Sequence, residues 1–372
     1  MTEKVRLEVL TTPSNGDGVR RQIEKTIESN RKNFDFVMKQ IPHMESAVET
    51  LQNGHGDLLA MSAHQWKDLP TQGLSIVGVL PRREPTWVLV SEDKPEYLLS
   101  KAIVVCDNVL LRRQMRRLRA DLNLMTSEVF AQHISNTHRF ESLEREDRIH
   151  WLEEMRQDEV LDGYIVSRGE HAELKFKSRR HTLGLQRENP ERTHFVPPPL
   201  HGFTLLVARN GFPSASVQIM CDNGAFIAHR MEVAFLASIE EELHPITGIF
   251  VEQRKISAIL REANRSNDEQ TLEGVLDIEK NIKTPGPRLE MRIETLNHHG
   301  TVTAGAERVC PVEESHMGMV NVLKEFQNLL EMMQMGHDEI PRQHTGLSEE
   351  FSMARPGLLD LSTIHSVSSE EE

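Results

Sequence analysis

Val5-Arg6-Leu7-Glu8-Val9-Leu10 alternates apolar and charged side chains with the two-residue period of a strand, which sets Val5, Leu7 and Val9 on one face. Thr11-Thr12-Pro13-Ser14-Asn15-Gly16 then supplies turn residues, and the spacing of apolar positions predicts a helix over 19–29. A second helix is predicted over 44–53, ending at Gly54, with short apolar strands at 57–63 and 75–80. Strand, helix and strand in alternation predict an α/β fold with a mixed sheet.

The rhythm repeats further along. Residues 88–91 are apolar and lead into a polar stretch with Pro95, read as a linker. Ala102-Ile103-Val104-Val105-Cys106 opens a new unit as a buried strand, followed by a helix over 109–122, a charged helix within 143–160 and a strand at Tyr164-Ile165-Val166. Asn189-Pro190 and the prolines at 197–199 stop regular structure. The run Phe203-Thr204-Leu205-Leu206-Val207-Ala208 is a buried strand, so the chain re-enters a sheet there. A helix over 232–242 is expected to turn Val233, Leu236 and Ile239 inward, and strands at 248–251 and 289–293 with a helix at 319–333 complete a smaller α+β unit. The expected units are therefore 1–97 with 196–228, then 98–195, then 229–338. The segment 339–372 has seven acidic and two basic residues and little periodicity, and is read as a disordered acidic tail, a candidate contact for a protein partner.

The 372-residue chain is long enough for two or three cores. No run approaches the roughly 18 apolar residues of a membrane span, so no membrane contact is expected. The first ten residues read as a strand rather than a signal peptide, and three scattered cysteines at 106, 221 and 310 give neither a disulfide framework nor metal-ligand spacing. A cytoplasmic location is the resulting expectation. The net charge of −14 argues against general nucleic-acid binding, which needs a cationic surface. His298-His299 and the other histidines lack carboxylates or cysteines at ligand spacing, so no metal is expected.

Lys67-Asp68-Leu69-Pro70-Thr71 is followed by Gly73-Leu74, Ile76, Val79-Leu80-Pro81-Arg82, Pro85 and Leu89-Val90-Ser91. Further on come Leu111-Arg112-Arg113-Gln114, Leu161-Asp162-Gly163-Tyr164-Ile165, the 196–203 segment and Ala234-Phe235-Leu236. In this order, across about residues 60–245, the motifs resemble those of the porphobilinogen deaminase (hydroxymethylbilane synthase) family of tetrapyrrole and porphyrin biosynthesis. The resemblance implies two α/β domains like those of periplasmic binding proteins flanking a cleft, plus a small α+β C-terminal domain. It also implies a transferase that polymerises porphobilinogen to hydroxymethylbilane on a dipyrromethane primer held by a cysteine thioether.

Chain extension needs a carboxylate to stabilise cationic pyrroles and relay protons. Asp68 matches the family's catalytic aspartate, although an Asp at this place also serves as an ordinary turn cap. Lys67, His64, Arg112 and Arg113 are the substrate-binding candidates that the resemblance implies. Arg112, Arg113, Arg116, Arg117 and Arg119 form a cluster on a helix whose Leu111, Met115, Leu118 and Leu122 face inward. Guanidinium forks suit carboxylated ligands, and a solvated helix face is the alternative reading.

The departures are equally specific. Gln65 replaces a serine, and Asp107-Asn108-Val109-Leu110 stands where the family has Gly-Thr-Ser-Ser. The segment Thr126–Gln132 lacks two family arginines, and Thr12 stands where a third is expected. Ile239-Glu240-Glu241-Glu242-Leu243 replaces Leu-Glu-Gly-Gly-Cys, so Leu243 occupies the anchor position and no covalent dipyrromethane is expected. Two readings follow: a deaminase-like enzyme, or a catalytically inactive homologue that binds a small carboxylated, pyrrole-like ligand or a protein partner.

Overall fold

The computed structural model describes residues 4–13, 16–83, 85–187 and 193–334, with only the backbone of Arg145 and Glu146. The acidic segment 339–372 lies outside the described residues.

The strands are β1 (Val5–Thr11), β2 (Phe34–Gln40), β3 (Leu58–Ser62), β4 (Leu74–Val79), β5 (Trp87–Ser91), β6 (Ile103–Val105), β7 (Asn123–Met125), β8 (Gly163–Ser167), β9 (Arg180–Leu183), β10 (Thr204–Arg209), β11 (Thr247–Arg254), β12 (Arg288–Leu296) and β13 (Thr303–Pro311). They form two five-stranded sheets, ordered β2-β1-β3-β10-β4 and β7-β6-β8-β5-β9, and an antiparallel β11-β12-β13 meander. Each large sheet has four strands running in one direction and one antiparallel strand in its fourth place. That fourth strand is exchanged between the units. β5 follows the first unit in sequence but pairs with β8 and β9, while β10 follows the second unit but pairs with β3 and β4.

This α/β architecture, with a small third unit, agrees with the expected fold class. Two boundaries differ. The expected division at 97/98 assigned 88–91 to the first unit, whereas β5 hydrogen-bonds into the second sheet, so the crossover precedes Trp87. The division at 228/229 falls inside the helix Asn223–Leu236. That helix also corrects the one expected over 232–242. It begins at an Asp222 cap, whose side chain accepts from the Ala225 amide at 2.8 Å, and it ends before the turn that contains Pro245. Its inner face accordingly carries Ala225, Ala228, Glu232 and Phe235, leaving Val233 42% exposed.

In β1, Leu7 and Val9 pack with Ile23 and Ile27 of the helix Val19–Asn30, while Leu10 faces the other way. Leu10 joins a core that runs through Met61, Leu205 and Val207 into Phe235, Val251, Met291 and Phe326. The first and third units thus share one core. Burial on both faces explains why β3 and β10 are apolar almost throughout rather than alternating.

Two polar fastenings complete the assembly. Arg82, just beyond β4, meets Glu232 at 2.6 Å with side-chain exposures of 7% and 0%. Glu232 also accepts from the amides of Leu200 (2.7 Å) and Val251 (2.9 Å), and Arg82 donates to the His201 carbonyl at 2.7 Å. The Arg82 guanidinium lies 3.9 Å from the centroid of the Phe203 ring. The second fastening is the arginine-rich helix Val109–Leu118, which lies against β12 and the turn after it. Gln114 reaches Glu294 at 2.8 Å, Arg117 reaches Glu294 at 3.0 Å, and Arg116 donates to the His298 carbonyl at 3.1 Å. A Cβ on Gly300 would lie 2.4 Å from the Arg113 carbonyl oxygen, so only glycine lets this turn approach the helix.

Glu232→Gln is expected to cost about 3–5 kcal/mol in urea unfolding, because it leaves Arg82 buried without its counter-charge. A joint Arg82→Met and Glu232→Leu replacement should cost less than the single change. Gly300→Ala, at φ 70° and without space, should lower stability by about 1–3 kcal/mol in the same measurement.

Candidate functional site

In both large sheets the first strand sits between the second and third, so connections leave in opposite directions and open a crevice at the strands' C-terminal ends. The two crevices face each other. Residues following β1 meet the end of β8 and the residues after it: Ser167 Oγ donates to the Gly16 carbonyl at 3.0 Å, and a Cβ on Gly169 would lie 3.3 Å from the Gly18 amide nitrogen. The two lobes touch along this seam.

Beside the seam is a cavity of about 60 Å³ lined by Asp17, Gly18, Arg21, Lys25, Arg83, Ser167 and His201, among others. This is room for a few waters or for an anionic group of about acetate size. Its charge is mostly positive. Lys25 and Arg83 are exposed, and Arg21 Nη1 is buried without a hydrogen-bond partner among the described residues. The cavity's one carboxylate, Asp17, accepts from the Val19 amide at 3.0 Å. Gly18 heads the helix Val19–Asn30 with no side-chain cap, so the positive end of the helix dipole adds to the field. His201 stacks on Trp87 at 5.1 Å, and burial first, then His64 and Arg82, push its imidazole down to about 3. It contributes no charge at neutral pH.

The residues expected at the site do not converge here. Asp68 ends the helix Ala63–Asp68, is exposed, and is not among the residues lining this cavity. His64 is exposed on the same helix, near enough to His201 to act on its ionisation. Lys67 turns away and meets His244 Nδ1 at 3.4 Å. The helix itself is set by a capping box in which Ser62 accepts from the Gln65 amide, so Gln65 serves as the cap's partner.

Arg112 and Arg113 were expected to offer guanidinium groups to a ligand. Both are 3% exposed instead, and each donates to a backbone carbonyl: Arg112 to Cys106 at 2.7 Å, Arg113 to Leu296 at 2.6 Å. Burial, then Arg116 and Arg112, lower Arg113 to about 10, which leaves it charged. The expected helix ends at Leu118 rather than 122, and Arg113, Arg116 and Arg117 reach the third unit while Arg112 bonds within the second.

Leu243 is 3% exposed and belongs to the core shared by the first and third units. No thiol stands in for it. Burial pushes Cys106 up to about 12 and Cys221 to about 11, and it also raises Cys310, so none is a thiolate at neutral pH. Among the described residues, no group of three or more His, Cys, Asp or Glu side chains could hold a metal ion. No helix among them is long and apolar enough to cross a membrane.

Arg21, Lys25, Arg83 and His201 were missed in the sequence. Arg21 and Lys25 sit on the polar face of an ordinary amphipathic helix, and Arg83 lies one residue beyond the Val79-Leu80-Pro81-Arg82 motif. The only signal was a turn rich in small residues immediately before the helix.

No protein-family model matches the sequence, and no curated protein matches it. Among solved structures, the lipoprotein Tp32 from Treponema pallidum is similar over 63% of this chain and 96% of its own, at 12% identity and a TM-score of 0.33. The periplasmic aliphatic sulphonate binding protein SsuA from Escherichia coli covers 73% of this chain and 77% of its own, at 16% identity and 0.30. The OxyR2 regulatory domain from Vibrio vulnificus covers 58% of this chain and 92% of its own, at 9% identity and 0.30. Likenesses at this level carry no functional argument.

Proposed function

We propose that the chain is a non-catalytic relative of the porphobilinogen deaminases that acts as a binding module for a small carboxylated ligand. The observation that carries this reading is the interlobe cavity, where Arg21, Lys25 and Arg83 surround a space of about 60 Å³ beside the N-terminus of the helix Val19–Asn30. A carboxylate group entering it would gain charge-assisted hydrogen bonds from side chains and helix amides. Three further features speak for binding over synthesis. Leu243 is packed in a core where a tether would need an accessible thiolate, the Arg112 and Arg113 guanidiniums are already bonded to carbonyls, and the cavity is too small for a pyrrole chain. The touching lobes leave the larger space that a growing tetrapyrrole needs only if they separate.

The test is calorimetric titration with acetate and with porphobilinogen, alongside intact mass, an aldehyde colour reaction for pyrroles and a product assay. Acetate should bind, and a Lys25→Gln/Arg83→Gln variant should bind at least about tenfold more weakly, the loss of a charge-assisted contact. The mass should be unmodified, with no colour and no hydroxymethylbilane. A covalent dipyrrole adduct or product formation would restore the enzyme reading. Because His201 stays neutral down to about 3, acetate affinity should be flat from pH 8 towards 5 and fall only as the ligand's own carboxyl protonates. A marked gain in affinity below pH 6.5 would mean that an imidazolium holds the anion instead.

A further inference from the structure

A second cavity, of about 690 Å³, opens between the helices Ala63–Asp68 and Asn223–Leu236 and the turn Glu241–Ile246. It shares no residue with the interlobe cavity. Its walls are apolar, formed chiefly by Trp66, Ile76, Phe226, Val233, Leu236 and Ile239. His229 adds an uncharged ring: it is 3% exposed, its two nitrogens are sealed without hydrogen-bond partners among the described residues, and burial with Arg82 nearby pushes it down to about 4.

The polar groups sit at the rim. They are Lys67, Arg230, Glu241 and His244. His244 Nε2 donates to the Leu236 carbonyl at 3.0 Å, which leaves Nδ1 as the acceptor facing the Lys67 ammonium at 3.4 Å. Lys67 and Arg230 are exposed, and neither is ion-paired among the described residues. Two cations against one carboxylate make a positive rim on a chain of net charge −14.

We propose that this cavity binds a single small amphipathic carboxylate, with an apolar body of about ten carbons against Trp66, Phe226 and Val233 and its head at Lys67 and Arg230. The volume falls within the roughly 300–1,000 Å³ of small-molecule sites. An amphipathic helix from a partner would need a run of anchoring subsites at helical spacing, and here there is one cavity. A second copy of the chain would need about 800 Å² of complementary surface, whereas the apolar area here is confined to a single concavity. The charge complementarity selects an anionic head.

The probe is decanoate, titrated calorimetrically below its micelle concentration, with decanol and acetate as controls. One decanoate should bind per chain. Lys67→Gln with Arg230→Gln should weaken decanoate about tenfold or more and leave decanol unchanged, and both positions are exposed, so folding is preserved. Ala234→Trp, which fills the cavity, should abolish binding of both, with circular dichroism confirming the fold. Arg83→Gln should leave decanoate affinity unaltered, which separates this site from the interlobe one. The proposal is overturned by absent binding, by stoichiometry well above one, or by undiminished binding to a folded Ala234→Trp variant. It is also overturned if sedimentation shows self-association that Val233→Glu abolishes.

Discussion

The buried pair of Arg82 and Glu232 is the constraint around which the three units are organised. Glu232 has no exposed side-chain surface, so its charge is tolerable only with its partners in place. Those partners come from three stretches: Arg82 after β4, the Leu200 amide where the chain returns from the second unit, and the Val251 amide in the third unit's first strand. A buried pair of this kind adds little net stability compared with apolar packing, but it penalises every arrangement in which one partner is missing. Its effect is to specify one alignment. The crossover that begins beyond Arg82 delivers β5 to the second sheet, and the return past Leu200 delivers β10 to the first.

The arginine-rich helix applies the same logic to the second and third units. Guanidinium groups that could have received ligand carboxylates are directed at the carbonyls of Cys106, Leu296 and His298 and at Glu294. The bonds to Leu296, His298 and Glu294 satisfy groups at the interface that would otherwise be buried unpaired. With the first and third units sharing a core, the second fastened by this helix, and the lobes touching at Gly16–Gly18 and Ser167–Gly169, the scaffold is held closed from several directions.

Leu243 is placed by packing. An anchoring thiolate must be exposed and electropositive in setting. A leucine at that place is under no such demand, and it is part of the core between the first and third units. The adjacent Glu241 and Glu242 remain exposed, where they need no counter-charge.

The sequence by itself determined what depends on near neighbours along the chain. In the first eighty residues β1, β3, β4 and the helices Val19–Asn30 and Met44–Gln52 were legible, as were the inward Leu111 and Met115 and the re-entrant strand near 203–208, because periodicity is a local property, whereas β2 and the helix Ala63–Asp68 were not. Tertiary structure alone decided where each polar group is satisfied. Arg112 and Arg113 read equally well as ligand forks or as structural donors; Arg112 bonds the nearby Cys106 carbonyl, whereas the choice for Arg113 fell to the Leu296 carbonyl that the third unit brings to it. The sheet that receives β5, the side to which Lys67 turns, and the meeting of Arg21 and Lys25 with Arg83 were likewise set by partners far away in sequence. A buried charge is placed by whatever can pair with it, and that partner carries no signature in the flanking residues.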